Sequence, residues 1–159
     1  MSKKGGVGPG LEVNISGMVL SNPFLLASGI SDETGMSMVE AVNNGAGGVV
    51  TKSLSLEARE GHSNPCIYEL PYGMLNAMGL PNPGIDEYTH EIEIYLKMTG
   101  GKAPIIASLF GSDISEYAEA ARKLQKTGVN GLEINASCPN AKGLGLQFGQ
   151  DPVQIQALG

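Results

Sequence analysis

The residues with the clearest chemical potential lie in one short stretch, residues 135–140, which reads Asn-Ala-Ser-Cys-Pro-Asn. The amide side chains of Asn135 and Asn140 can both donate and accept hydrogen bonds, so they can recognise a planar polar ligand. The Cys138 thiol can act as a base or nucleophile once it is ionised. Pro139 has a fixed φ and no N–H, and it therefore ends a strand sharply. A buried structural cysteine beside turn-forming asparagines explains the same residues, so the rest of the chain must decide.

Other polar side chains come after apolar runs of the same kind. Ser28, Lys52, Ser108 and Asn135 each follow a run that predicts a buried strand. The predicted strands cover residues 24–27, 47–52, 104–109 and 129–134. Because α/β barrels and open α/β sheets place their sites at the carboxyl ends of parallel strands, we expect these side chains to meet at one edge.

Helical patterns separate these strands. Helices are predicted at residues 34–44, at 85–99 and from Asp113 to about Gly128, and another begins at Asp151. Alternating strands and helices indicate parallel pairing through crossovers. A hairpin over residues 11–20 comes first, and residues 54–84 form a long loop without sustained periodicity. Four βα units, the last of them unfinished, resemble the first half of an eight-fold barrel.

Size, composition and charge exclude several classes of protein. The 159 residues are enough for one domain with a core, and 42% hydrophobic with 16% charged residues is a globular composition. The net charge of −6 argues against nucleic acid or an anionic membrane as the main partner. No apolar run predicts a signal peptide or a membrane span. Cys66, Cys138, His62 and His90 lack the spacing of a disulfide framework or metal site, so we expect free thiols and a cytoplasmic protein.

Three motifs together carry a resemblance to a known family. Residues 76–84 read Asn-Ala-Met-Gly-Leu-Pro-Asn-Pro-Gly, residues 51–53 read Thr-Lys-Ser, and the stretch at 135–140 has been given above. In this order and spacing they resemble the dihydroorotate dehydrogenases, across nearly the whole chain. These are FMN-dependent flavoproteins with a (β/α)8 TIM-barrel fold that oxidise dihydroorotate to orotate in pyrimidine biosynthesis. The resemblance implies that this chain comprises a flexible tail at 1–10 and the N-terminal half of such a barrel at 11–159.

The resemblance also implies roles for particular residues. Cys138 takes the position of the catalytic base in the soluble class, which removes the C5 proton of dihydroorotate while hydride passes from C6 to FMN. Lys52 matches the lysine that touches both flavin and substrate. The implied substrate-binding residues are Lys52, Asn76, Met78, Gly79, Leu80, Asn135 and Asn140. Met74 and Leu75 are then expected to pack under the loop at 76–84.

A second implied set contacts the flavin. These residues are Ala27, Ser28, Gly29, Lys52, Ser53, Ser108 and Asn135. Ser108 is a departure, because family members often carry an asparagine there. No metal site is implied.

The sequence of residues 76–84 resembles that of the NAD-linked soluble subclass more than that of the fumarate-using one. In that subclass a second subunit carries FAD and an iron–sulfur cluster, so the resemblance implies such a partner and a homodimer or heterotetramer. Alternatives are a dihydropyrimidine dehydrogenase-like flavin domain and a non-catalytic half-barrel that assembles with a partner. A tRNA dihydrouridine synthase is disfavoured, because it would need a basic surface to bind RNA and the net charge of this chain is −6. The family's phosphate site lies in the other half of the barrel, so we expect this chain alone to be inactive.

Overall fold

The computed structural model describes residues 10–137 and 149–158. The elements in chain order are β1 (Val13–Ile15), β2 (Met18–Leu20), β3 (Leu25–Leu26), α1 (Gly35–Asn43), β4 (Gly48–Val50), β5 (Ile67–Leu70), β6 (Gly73–Asn76), α2 (Ile85–Thr99), β7 (Ile105–Leu109), α3 (Ile114–Leu124), β8 (Gly131–Ile134) and α4 (Pro152–Leu158). A short 3₁₀ turn, Gln125–Thr127, continues α3. The helices and the hairpin predicted at residues 11–20 are confirmed.

A parallel sheet in the order β3–β4–β7–β8 forms the centre of the fold. Each of its strands is paired with the next one, with Leu25 opposite Gly48, Val49 opposite Ile105, and Ile106 opposite Gly131. Successive parallel strands need a crossover, and α1, α2 and α3 supply these connections. The predicted alternation of strands and helices with parallel pairing is therefore confirmed.

The helices form a layer against this sheet and bury the core between them. The stripe predicted on α2 is buried at Ile85, Tyr88, Ile92 and Tyr95. The Tyr95 hydroxyl donates to the carbonyl oxygen of Ala103 at 3.1 Å, and burial raises the pKa of Tyr95 to about 12. This buried layer fixes the positions of the strands, and so of the residues at their carboxyl ends.

Two of the predicted strands differ in the structure. The run at 24–27 was expected to be covered on both faces, but β3 is only two residues long and Phe24 is 71% exposed. Phe24 is exposed because β3 lies at the edge of the described sheet. Ser108 does not follow its strand but lies within β7, and it is fully buried.

The interpretation of residues 54–84 as a loop without regular structure was wrong in one part. β5 and β6 pair there as an antiparallel hairpin, with Ile67 opposite Asn76 and Leu70 opposite Gly73. All eight residues of the two strands are exposed. A hairpin with neither face buried has no alternation of apolar and polar residues, which is why the pattern was missed.

Candidate functional site

A cavity of about 590 Å³ opens at the carboxyl ends of β3, β4 and β8. The β5–β6 hairpin and the loop that follows it line its other side. The lining residues are Ser28, Gly29, Ile30, Lys52, Ser53, Ile67, Met74, Asn76, Met78, Gly79, Leu80, Pro81, Glu133, Ile134, Asn135 and Ser137. This volume lies within the range of roughly 300–1,000 Å³ that is usual for small-molecule and cofactor sites.

Lys52 brings a fixed positive charge to this cavity. It comes shortly after β4, and only 8% of the residue is exposed. Its Nζ donates to the carbonyl oxygen of Gly29 at 2.8 Å and lies 3.4 Å from Oε1 of Glu33. Because Glu33 is largely exposed, solvent weakens this ion pair. The contact with the Gly29 carbonyl oxygen therefore holds the ammonium group at the cavity wall.

Asp32 fixes the same turn from the inside. The residue is fully buried, and its Oδ2 accepts a hydrogen bond from the N–H of Gly29 at 2.7 Å. Burial raises the pKa of this carboxyl group, while the Gly29 N–H and the charge of Lys52 act in the opposite direction. The Tyr88 hydroxyl donates to the backbone carbonyl of Asp32. The two peptide groups of Gly29 are thus tied to Asp32 on one side and to Lys52 on the other.

Hydroxyl and amide groups form a second cluster on the same wall. Ser53 Oγ lies 2.8 Å from Ser108 Oγ and 3.3 Å from Ser28 Oγ, and it accepts from Asn135 Nδ2 at 3.0 Å. The backbone oxygen of Asn135 accepts from the Tyr117 hydroxyl at 2.8 Å, which ties the end of β8 to α3. Burial raises the pKa of this tyrosine.

The loop after the hairpin adopts a backbone that few side chains tolerate. Gly79 has φ of +78° and Leu80 has φ of +59°. The residues at 59–62 support it: Arg59 Nε donates to the carbonyl oxygen of Gly79 at 2.6 Å, and the His62 N–H donates to that of Met78 at 2.9 Å. A positive φ at a leucine costs of order 1–3 kcal/mol and persists only where neighbouring contacts enforce it.

Asn82 closes the loop through its side chain. It is buried, its Oδ1 accepts from the N–H groups of Ser55 and Gly84, and its Nδ2 donates to the carbonyl oxygen of Leu80 at 3.1 Å. Its role was missed in the sequence, although an Asn between two prolines is a strong signal for a side-chain-closed turn.

Most of the residues predicted to bind ligand meet in this cavity. Lys52, Asn76, Met78, Gly79, Leu80 and Asn135 of the substrate set line it, and Ser28, Gly29 and Ser53 of the flavin set do so as well. Ala27 is exposed just outside the lining. Ser108 lies behind Ser53 and does not reach the cavity. Cys138 and Asn140 lie outside the described residues.

Three smaller predictions about the surroundings have different outcomes. Met74 and Leu75 were expected to pack under the loop, but they are 73% and 61% exposed because no described element covers the hairpin. Met74 instead lines the cavity. His90 lies exposed on α2, as expected. Cys66 is a free thiol that lies 3.3 Å from Oδ1 of Asn64.

This arrangement suits a planar ligand with polar edges. One wall carries the Lys52 cation, hydroxyl groups and the Asn135 amide. The hairpin on the other side contributes the apolar side chains of Ile67 and Met74 and the Asn76 amide. Comparison with known proteins identifies the fold and the family. The family model described as dihydroorotate dehydrogenase matches residues 10–158.

The chain belongs to the dihydroorotate dehydrogenase family. Its parallel sheet is accordingly the N-terminal part of a TIM barrel, and a flavin is the family's cofactor. The matched residues include all of the cavity lining.

Three of its curated relatives are named dihydroorotate dehydrogenase B (NAD(+)), catalytic subunit. The protein of Thermoplasma acidophilum is 46% identical over 93% of this chain and 48% of its own length. The protein of Thermococcus kodakarensis is 45% identical over 93% and 47%, and that of Methanocaldococcus jannaschii is 48% identical over 89% and 46%. The chain thus spans about half the length of the curated relatives it matches. Within residues 10–137 and 149–158, no helix has the length and apolar character needed to cross a membrane.

Proposed function

We propose that the full-length protein is an FMN-dependent dihydroorotate dehydrogenase that oxidises dihydroorotate to orotate in pyrimidine biosynthesis. The observation that carries the proposal is that one cavity gathers residues from all three sequence motifs. Residues 51–53 contribute Lys52 and Ser53, residues 76–84 contribute the loop wall, and residues 135–140 contribute Asn135 and Ser137. These motifs are far apart in the chain, so a single ligand site explains why all three are present.

The wall formed by β3 and β4 fits the flavin. Ser28 and Gly29 are small enough for a ring system to approach the backbone, and Ser53 and Asn135 offer polar groups beside it. Lys52 adds a positive charge that can stabilise electron density arriving on the ring. When bound, FMN would supply the acceptor for the hydride that leaves C6 of dihydroorotate.

The loop wall fits the substrate. Asn76, Met78, Gly79 and Leu80 all line the cavity. The Asn76 amide can hydrogen-bond a carboxylate or a cyclic amide, and backbone N–H groups of the loop can donate to the same carboxylate. Lys52 can contribute its charge to the same carboxylate. We place Asn140 in this set as a second amide, from its position in the motif.

Cys138 is proposed as the base. It comes directly after Ser137, which lines the cavity. The thiolate takes the proton from C5 of dihydroorotate, and the electron pair of the broken C5–H bond forms the C5–C6 double bond as hydride leaves C6. The substrate would lose one proton to sulfur and one hydride to FMN when it is bound, so atoms and electrons balance.

The experiment for the base compares the two cysteines of the chain. In the full-length protein, Cys138→Ala should keep bound flavin but lower the rate of anaerobic flavin reduction by dihydroorotate by about 10²–10⁴-fold, which is the usual worth of a general base. Cys138→Ser should leave a residual rate. Cys66→Ala is the matched control, because that thiol contacts Asn64 and does not line the cavity. Equal rates in both alanine variants would refute the assignment.

We also propose a partner subunit. The curated relatives are named as catalytic subunits of an NAD(+)-linked enzyme, and a second subunit with FAD and an iron–sulfur cluster would carry electrons from FMN to NAD. A homodimer or heterotetramer in the cytoplasm, where NAD is available, follows from that proposal. Co-expression with the candidate subunit should give dihydroorotate-dependent NADH formation, and its absence in the reconstituted complex would exclude NAD as the acceptor.

A further inference from the structure

The buried Ser108 hydroxyl has a single hydrogen-bond partner among the described residues. That partner is Ser53 Oγ, at 2.8 Å, and Ser108 is fully buried. A hydroxyl group has one donor and two acceptor sites, and a buried donor without an acceptor is costly. Ser108 therefore donates its hydrogen to Ser53, since the opposite direction would leave that hydrogen unpaired.

A second donor reaches Ser53 from β8. The Asn135 Oδ1 accepts the N–H of Ser137 at 3.3 Å, which leaves Nδ2 as the group facing Ser53, at 3.0 Å. An N–H group can meet only the oxygen of the amide, so the orientation of the Asn135 side chain is determined. Ser53 thus accepts two hydrogen bonds, one from Asn135 and one from Ser108.

The direction of the remaining bond follows from this count. With both acceptor sites filled, the Ser53 hydroxyl must donate, and the nearest described acceptor is Ser28 Oγ at 3.3 Å. Ser28 then accepts from Ser53, and its own hydrogen is free to point into the cavity that it lines. The 3.3 Å distance between Ser53 Oγ and Ser28 Oγ is longer than the usual 2.7–2.8 Å for two hydroxyl groups. This hydrogen bond is therefore weaker than the one between Ser108 and Ser53.

We propose that Ser108 is a positioning residue that sets the direction of the Ser108–Ser53–Ser28 hydrogen-bond chain, so that Ser28 presents a donor to the ligand. The wall then selects an acceptor atom, such as a carbonyl oxygen or an unprotonated ring nitrogen, at the ligand edge facing Ser28. The inference rests on the proposed function, because the ligand on this wall is taken to be the flavin. It also assigns Ser108 an indirect role in place of a contact with the ring.

The test is a double-mutant cycle on flavin affinity in the full-length protein. Flavin mononucleotide is titrated into apoprotein, and its dissociation constant is measured by fluorescence for wild type, Ser28→Ala, Ser108→Ala and the double variant. Losing one hydrogen bond corresponds to about twofold to twelvefold weaker binding. We expect Ser28→Ala to fall in that range and Ser108→Ala near its lower end. Ser108→Ala should have no further effect in the Ser28→Ala background.

Several outcomes would overturn the inference. Equal effects of Ser108→Ala in both backgrounds would mean that Ser108 has only a structural role. If neither single substitution changes the affinity for flavin, Ser28 does not hydrogen-bond the ligand. Ser108→Cys retains the size and a weak donor, so it should bind flavin with intermediate affinity if the alanine variant does not fold. Ser115→Ala, at an exposed position on α3 outside the cavity lining, is the matched control. A wild-type apoprotein that binds no flavin would refute the proposed function itself.

Discussion

Replacing Gly79 by alanine tests whether the loop that lines the cavity depends on its unusual backbone. Gly79 has φ of +78°, and a Cβ added there would lie 2.7 Å from Cδ2 and 2.9 Å from the backbone N of His62. Ordinary van der Waals contact begins at 3.4 Å. The new methyl group therefore lacks about 0.5–0.7 Å of space, and it presses on the residue whose N–H binds the carbonyl oxygen of Met78.

Two costs combine in this variant. An L-residue in the left-handed region costs about 1–2 kcal/mol, and overpacking against a neighbour typically costs about 1–3 kcal/mol. Lower entropy of the unfolded chain offsets about 0.4–1 kcal/mol. The free energy of unfolding should fall by roughly 1–5 kcal/mol. In a full-length protein about twice as long as this chain, that lowers Tm by about 2–8 °C.

Gly73→Ala is the matched control. Gly73 lies in β6, in the hairpin that precedes the loop, its φ is not in the left-handed region, and a Cβ there has nothing within 4 Å. Its stability should stay within about 0.5 kcal/mol of wild type. Urea unfolding of the full-length protein measures both variants, and orotate titration should show weaker binding for Gly79→Ala alone. If the two alanine variants unfold at the same urea concentration, the loop does not depend on this backbone and the reasoning fails.

Three further predictions use the same full-length protein. Burial raises the pKa of Asp32 above 3.8, so its contribution to stability is present at lower pH and is lost as pH rises through the native pKa. Asn cannot titrate, and the unfolding free energy of Asp32→Asn relative to wild type should therefore increase across that window and then level off; a constant difference would contradict the assignment. Ile92→Ala, at a fully buried site on α2, should cost about 2–5 kcal/mol in urea unfolding. Lys123→Ala removes an exposed ion pair with Asp86, and its Tm should equal that of wild type within error.

The sequence predicted the parallel sheet and the helices because these elements bury one face. The stripe on α2 at Ile85, Tyr88, Ile92 and Tyr95 has a helical period, and β4 is apolar from Gly48 to Val50. Both patterns arise from burial, so both could be found without a structure. The positions of Lys52, Ser53 and Asn135 at one edge followed directly from parallel pairing.

What the sequence missed depends on contacts between distant segments. Asp32 carries no motif, and its role becomes visible only when its carboxylate meets the Gly29 N–H. Ser108 was expected to face the ligand, yet the register of β7 places it behind Ser53. Arg59 reaches the Gly79 carbonyl across 20 positions of sequence. None of these contacts produces a periodic pattern, and none could have been predicted from spacing.

The central claim is tested most directly by adding dihydroorotate to the purified full-length protein without oxygen and recording the visible spectrum. The account predicts bound FMN whose oxidised absorption bands disappear on addition of dihydroorotate, with one orotate formed for each flavin reduced. A protein that contains no flavin, or a bound flavin that dithionite bleaches but dihydroorotate does not, would contradict it.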